Sequence, residues 1–298
     1  MAGVKQKIRE SYGDRIFLVC IYVFLAIILA VTLYPLIFIV SSSFSSPSAV
    51  SGGRVWLWPV EATLIGYKSA LQNSQIVTGY ANSIFYTAFG TLISVALTTM
   101  IAYPLSRKTF FGRSGLMMFI VFTMLFSGGL IPTYLVVKAV GLIDTRWALL
   151  LPNAIWVWQV IIARTFFSTS IPDELAEASE MDGCSDLRFI WNVVLSLSKP
   201  ILAVLALMYA VGQWNAYFDA LIYLKTNDLF PLQLFLRSIL IQNANSGGLN
   251  AGQIADTQQL LALMKYSIIV VSSLPVLIVY PFVQRYFVQG MLIGSVKG

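Results

Sequence analysis

Two polar clusters interrupt an otherwise apolar chain, and each offers a different chemistry. The first is Gln213, Trp214, Asn215, Tyr217 and Asp219, set within an apolar run from Pro200 to Tyr223. Indole and phenol rings offer flat faces for stacking, while the amides and the carboxylate can hydrogen-bond hydroxyl groups. Polar side chains at membrane depth are costly and face a cavity or another helix. These residues, with Asn82 in an earlier apolar run, therefore either line a pathway or glue helices together, and both readings stand. Asp219, near the end of its run, can also be solvated or pair with Lys225. The second cluster is the stretch from Glu174 to Pro200, ELAEASEMDGCSDLRFIWNVVLSLSKP, whose acidic residues suit gripping a partner more than catalysing a reaction.

Reaction chemistry is poorly supplied elsewhere. The 298 residues include no histidine, which removes the usual proton shuttle and the commonest metal ligand. No intramembrane carboxylate pair or Ser–Lys dyad stands out, and no G-x-x-x-x-G-K-[ST] loop is present to cradle a nucleotide. Cys20 lies in an apolar run and Cys184 in the polar stretch, so they form no disulfide framework. The expectation is a chain that is not an enzyme and binds no cofactor or metal of its own.

Composition sets the class of elements that must position these clusters. The chain is 58% hydrophobic and 11% charged, with a mean hydropathy of +0.79. Soluble domains carry about 25% charged residues, so an integral membrane protein is expected. Apolar windows of about 20 residues match a hydrocarbon core of about 30 Å. Six such windows are read: Ile16 to Ser41, about Tyr80 to Pro104, Ser114 to Val137, Trp147 to Phe167, Pro200 to Tyr223, and Tyr266 to Val283. The fold class is all-α, polytopic, with six transmembrane helices. The first run is too long for a cleaved signal core of about 7–15 residues.

Sidedness follows from basic residues beside the runs. Lys5, Lys7, Arg9, Arg15, Arg107, Lys108, Arg113, Arg164, Arg188, Lys199, Arg285 and Lys297 fall on one side. Both termini and the loop of about 168–199 are accordingly placed in the cytoplasm. The net charge of +6 reflects this membrane bias rather than a nucleic-acid surface. Two long segments fall outside. Trp56 and Trp58 in the first, and the NANSGGLNAGQ stretch from Asn243 to Gln253 in the second, are either anchor and mobile loop or contacts for an external partner.

Within the polar loop, Pro172 suits a first helical position and Asp173 with Glu174 complements the helix dipole. Asp182-Gly183 supplies a left-handed stop after Met181. Ser185 can cap a second short helix with Phe189, Ile190 and Val193 on one face. The product is a helix–turn–helix offering apolar and acidic residues to a partner. A helix lying on lipid favours lysine and arginine on its polar face. Asp173, Glu174, Glu177, Glu180 and Asp182 therefore favour a protein partner.

Glu177-Ala178-Ser179, Asp182-Gly183 and Val193-Val194-Leu195 with Pro200 resemble the coupling loop of importer-type ABC transporter permeases. Ser179 replaces the usual alanine and Ser196 the usual proline. Gly141 to Thr145, Ile171 to Leu175, Gln213 to Asn215 and Tyr280 to Gly290 are similar to carbohydrate-importing permeases, closest to the shorter, second permease of maltose-type pairs. Phe230 to Gln233 and Gly294 to Gly298 look most like the subgroup serving complex oligosaccharides or polysaccharides. The resemblance covers nearly the whole chain. It implies one permease domain over 1–298 in a bacterial cytoplasmic membrane. The partners implied are a second permease subunit, two ATPase subunits holding ATP and Mg, an extracytoplasmic binding protein and a carbohydrate substrate. Glu174, Glu177, Ala178, Ser179, Asp182, Gly183 and Leu195 would meet an ATPase. Gln284, Gly290 and Lys297, in a cytoplasmic tail of about 284–298, would touch the ATPase pair.

Overall fold

A computed structural model describes the backbone of residues 11–242 and 251–295, with side chains described except at 240–242, 251–258, 282, 283 and 285–295. Lys5, Lys7, Arg9 and Lys297 lie outside the described residues, as does most of the NANSGGLNAGQ stretch. All regular structure among the described residues is helical. In chain order the helices are α1 (Tyr12–Ser43), α2 (Pro47–Ser51), α3 (Ile65–Gln72), α4 (Ser74–Ser106), α5 (Arg113–Leu125), α6 (Leu130–Ala139), α7 (Trp147–Leu150) and α8 (Val157–Ser170). They continue as α9 (Asp173–Met181), α10 (Asp186–Phe189), α11 (Leu195–Leu197), α12 (Lys199–Asn215), α13 (Phe218–Tyr223), α14 (Leu232–Gln242) and α15 (Ala251–Ser295). The chain divides into two compact units: Met1–Ala70 with Asn245–Val271, and Leu71–Ala244 with Ser272–Gly298.

In the first unit, α1 is apolar on every side and exposed along nearly its whole length until Ser41. A helix apolar all round is stable against hydrocarbon, not water. Its last turn is different. Ser41 Oγ donates to the Leu57 carbonyl at 2.6 Å, the Ser43 hydroxyl meets the Tyr67 hydroxyl at 2.7 Å, and Ser45 Oγ accepts the Val60 N–H at 3.0 Å. These serines stitch the segment after α1 to its end, and Ser46 caps α2 by accepting the Ala49 N–H. The same unit packs α3 closely on α15, since a Cβ on Gly66 would fall 2.3 Å from Ser267 Oγ.

In the second unit α4 is the central post, with α8, α12 and α14 packed around it. Its core gathers Tyr103 from α4, Phe167 from α8, Phe189 and Val194 from the polar loop, and Leu205 and Tyr209 from α12. The Tyr209 hydroxyl is 2.7 Å from Thr98 Oγ1 and accepts the Trp156 N–H at 3.2 Å. The Trp156 ring in turn lies against Gly212, where an added Cβ would sit 2.3 Å from it. Overpacking a filled core costs about 1–3 kcal/mol. Gly212→Val is therefore expected to lower the thermal unfolding midpoint in detergent, whereas Gly115→Ala, with open space around its Cβ, is expected to leave it unchanged.

The expected spans are refined by the backbone. Three helices are long and apolar enough to cross a membrane: α1, α4 and residues Gln259–Pro281 of α15. Two bent pairs raise the number to five among the described residues if each pair is one crossing. The expected third span breaks between α5 and α6 with a bend of 114°. Gly129 there has φ +83, and Thr133 Oγ1 donates to its carbonyl at 2.8 Å, so the freed backbone is partly satisfied by a side chain. The expected fourth span is split into α7 and α8. At 14 residues, α8 is about 21 Å long at 1.5 Å per residue, short of a bilayer core. The expected fifth span ends at Asn215, and α13 follows separately. Before it, the segment Asp186–Leu197 meets α12 at 83°, where Pro200 sits in the first turn of the new helix and suits only that position.

Candidate coupling and translocation sites

The polar loop is built from local signals and a long-range anchor. Pro172 is the N-cap of α9 rather than its first residue, and Asp173 and Glu174 occupy the first turn. At the far end Gly183 has φ +71. Its N–H donates to the Glu180 carbonyl at 3.0 Å, and the Cys184 N–H donates to the Ser179 carbonyl at 2.9 Å. This paired closure satisfies the last carbonyls of the helix and needs a left-handed residue at Gly183. Ser179 Oγ donates to the Ala176 carbonyl at 2.8 Å, so a serine at this position spends its hydroxyl on its own helix.

Beyond the turn, Ser185 is extended but its side chain makes no capping bond. Phe189 is buried and Ile190 and Val193 pack on the core. That apolar face, expected to meet a partner, therefore points inward. Outward stand Met181, Leu187 and Trp191, at 90%, 80% and 75% exposure, beside exposed Glu174, Glu177, Ala178, Glu180 and Asp182. The loop thus presents a mixed acidic and apolar face with no partner among the described residues. Leu195 is half-buried. After α10 the chain passes through a single wide π turn, Ile190–Val194, into α11.

The anchor was not foreseen. Arg107, 8% exposed at the end of α4, places Nη1 3.4 Å from both the Ile171 carbonyl and Asp173 Oδ1. Its guanidinium also lies 4.8 Å from the centre of the Tyr103 ring. Lys108 Nζ reaches Asp173 Oδ2 at 3.2 Å. Both oxygens of Asp173 are thus held by the two residues directly after α4, which ties the start of α9 to the end of that helix. Arg164 adds a second tie from α8, its Nε donating to the Leu105 carbonyl at 3.1 Å. In the sequence Arg107 and Lys108 read only as charges marking a membrane side.

The structure sorts the pathway candidates into two groups. Trp214 is 4% exposed, donates from Nε1 to the Ser272 carbonyl at 2.9 Å and meets Tyr80 edge-on. Asn82 is 5% exposed and donates to the Asp228 and Phe230 carbonyls. The Gln213 side chain lies against Gly90, where a Cβ would meet it at 2.9 Å. These three act as internal braces. Asn215 is exposed and donates to the Val211 carbonyl of its own helix. Tyr217 is 43% exposed. Asp219 Oδ2 accepts from Asn153 Nδ2 at 2.7 Å, tying α13 to the segment before α8. Gln284 is exposed on α15 and Gly290 lies within the same helix.

A further junction lies in the Gly141 to Thr145 stretch. Asp144, at φ +59, accepts the Lys225 and Thr226 N–H groups, each at 2.8 Å, and the Thr226 hydroxyl at 2.7 Å. The hydrogen bond from the Thr226 hydroxyl is the chief cause holding its carboxyl below the ordinary value of 3.8, with the two backbone donors adding to it. A depressed carboxyl contributes its stabilisation above the ordinary value and loses it as pH falls through the lower, folded one. Amide exchange at Thr226 is expected to stay slow down to about pH 4 and to accelerate beyond the intrinsic rate change at lower pH. In Asp144→Ala the protection is expected to be absent at every pH.

No family profile matches the chain. It is 41% identical to Protein LplC of Bacillus subtilis (strain 168), covering 97% of both chains. It is 40% identical to the polygalacturonan/rhamnogalacturonan transport system permease protein YtcP of the same organism, covering 96% of this chain and 99% of the relative. The fold superposes with a TM-score of 0.86, at 37% identity, on a chain in the crystal structure of a bacterial ABC transporter that imports the acidic polysaccharide alginate, over 94% of this chain and 99% of that one. A chain with these helices, similar from end to end to such relatives, belongs to the permease family of sugar-importing ABC transporters.

Proposed function

We propose that this chain is one of two membrane subunits of an importer for an acidic oligo- or polysaccharide in a bacterial cytoplasmic membrane. A separate ATPase pair drives it, and an extracytoplasmic binding protein delivers the sugar. Six crossings are assigned, the fourth formed jointly by α7, the 151–156 stretch and α8. Both termini and the polar loop face the cytoplasm, a placement supported by the basic residues beside the apolar runs. ATP and Mg act on the ATPase subunits, and this chain supplies no catalytic group.

The observation that carries this reading is the exposed acidic and apolar face of α9 and α10, mounted on α4 through Asp173. An ATPase gripping that face moves a rigid post that reaches across the membrane. The acidity of the sugar is supported by the galacturonan and alginate systems to which the chain is similar over nearly its whole length. Reconstitution in liposomes with the other subunits tests it. Uptake of galacturonate oligomers is expected to require ATP and the binding protein; sugar flux through the chain alone, without ATP, would contradict the assignment.

A further inference from the structure

Between the first turn of α4, α13 and α14 the second unit forms a half-open pocket of about 370 Å³. This lies in the range of about 300–1,000 Å³ typical of small-ligand sites. Gln75 from the first turn of α4, Asn227 from the turn after α13, and Arg237 and Ser238 from α14 supply its polar wall. Leu221 and Phe230 are among its apolar lining. Arg237 is half-buried, and its guanidinium lies 5.6 Å from the centre of the Tyr217 ring. No carboxylate comes within ion-pair distance of it among the described residues. Arg146 is likewise held over a ring, that of Phe85.

A guanidinium half-removed from water, lying on an aromatic face and with no acid beside it among the described residues, is poised for an anion. Its planar fork matches a carboxylate with two parallel N–H donors. The amides of Gln75 and Asn227 can bond hydroxyls, and the apolar lining can take the C–H face of a sugar ring. We propose that this cavity is a carboxylate-reading subsite, in which Arg237 receives one uronate unit of the transported sugar. The proposal rests on the sugar-import reading above. Tyr217 is then the platform that fixes Arg237, which gives one of the exposed pathway candidates a role that acts through its neighbour.

The test uses the whole reconstituted complex with its binding protein, comparing galacturonate oligomers with their methyl-esterified, uncharged counterparts. In Arg237→Gln the concentration of acidic oligomer giving half-maximal ATPase stimulation is expected to rise at least tenfold. The response to the esterified oligomer is expected to stay within twofold, as is the sugar-free stimulation by the binding protein. Arg237→Lys, which keeps the charge but loses the fork, is expected to fall between. Equal losses for both oligomers would overturn the subsite and point to a structural role. A loss of the sugar-free stimulation would overturn it in favour of a contact with the binding protein. An unchanged acidic response would also overturn it. If neither oligomer stimulates the unmutated complex, the acidic-sugar import reading itself fails.

Discussion

Arg107→Gln is expected to reduce ATP-driven uptake about tenfold or more while the protein still inserts and assembles. The substitution removes the cation that holds one oxygen of Asp173 and the Ile171 carbonyl. A hydrogen bond to a charged group is worth about 1.5–3 kcal/mol, and Asp173, at 34% side-chain exposure, sits at the lower end of that range because water screens it. A loss of 1.4 kcal/mol is a factor of about ten in an equilibrium. The start of α9 then pivots without carrying α4, and ATP is hydrolysed with less sugar moved. The ratio of sugar taken up to ATP hydrolysed reads this directly. Asp173→Asn is expected to lower the same ratio, and the double variant to lose less than the sum, because the residues share one contact. Strictly additive losses would show that the pair does not act as a joint.

Glu177→Lys is the second large effect. Glu177 is exposed and makes no ion pair among the described residues, so reversing its charge is expected to leave thermal stability within about 0.5 kcal/mol. Its consequence falls on the partner instead. A like charge placed at a complementary interface costs several kcal/mol, so co-purification with the ATPase is expected to drop sharply and uptake to be lost. Wild-type uptake with normal co-purification would remove Glu177 from the docking face. Gly183→Val is expected to give a similar loss by a different route, because a β-branched residue at φ +71 is strained and reopens the end of α9.

What the sequence made legible divides along sequence distance. The helix α9 was legible because its signals are local: Pro172, two acids in the first turn, and a glycine stop at Gly183. The long apolar helices were likewise readable from continuous hydropathy. The breaks were harder: before α8 the Trp156 N–H is satisfied by the distant Tyr209 hydroxyl, a contact that no window of residues displays. The same limit hid the tie between Arg107 and Asp173, 66 residues apart, and the clamp from Asp144 to Thr226, 82 residues apart. In the fifth run, polar type alone did not separate braces from exposed groups. Trp214 and Asn82 have carbonyl partners supplied by distant segments, whereas Tyr217 is partly exposed and lies beside the Arg237 guanidinium. The apolar face of Phe189, Ile190 and Val193 was identified correctly as a face, but its direction is set by the core around Tyr103 and Phe167.

The central claim is that the loop carrying α9 lies under the membrane, within reach of the ATPase. Cys184 sits in that loop, and Cys20, the other cysteine, is in α1. In a Cys20→Ser background, a membrane-impermeant maleimide applied to sealed vesicles of each orientation reports the side directly. The account predicts labelling of Cys184 in inside-out vesicles, blocked when the ATPase is bound, and none in right-side-out vesicles. Labelling from the outer face would contradict it.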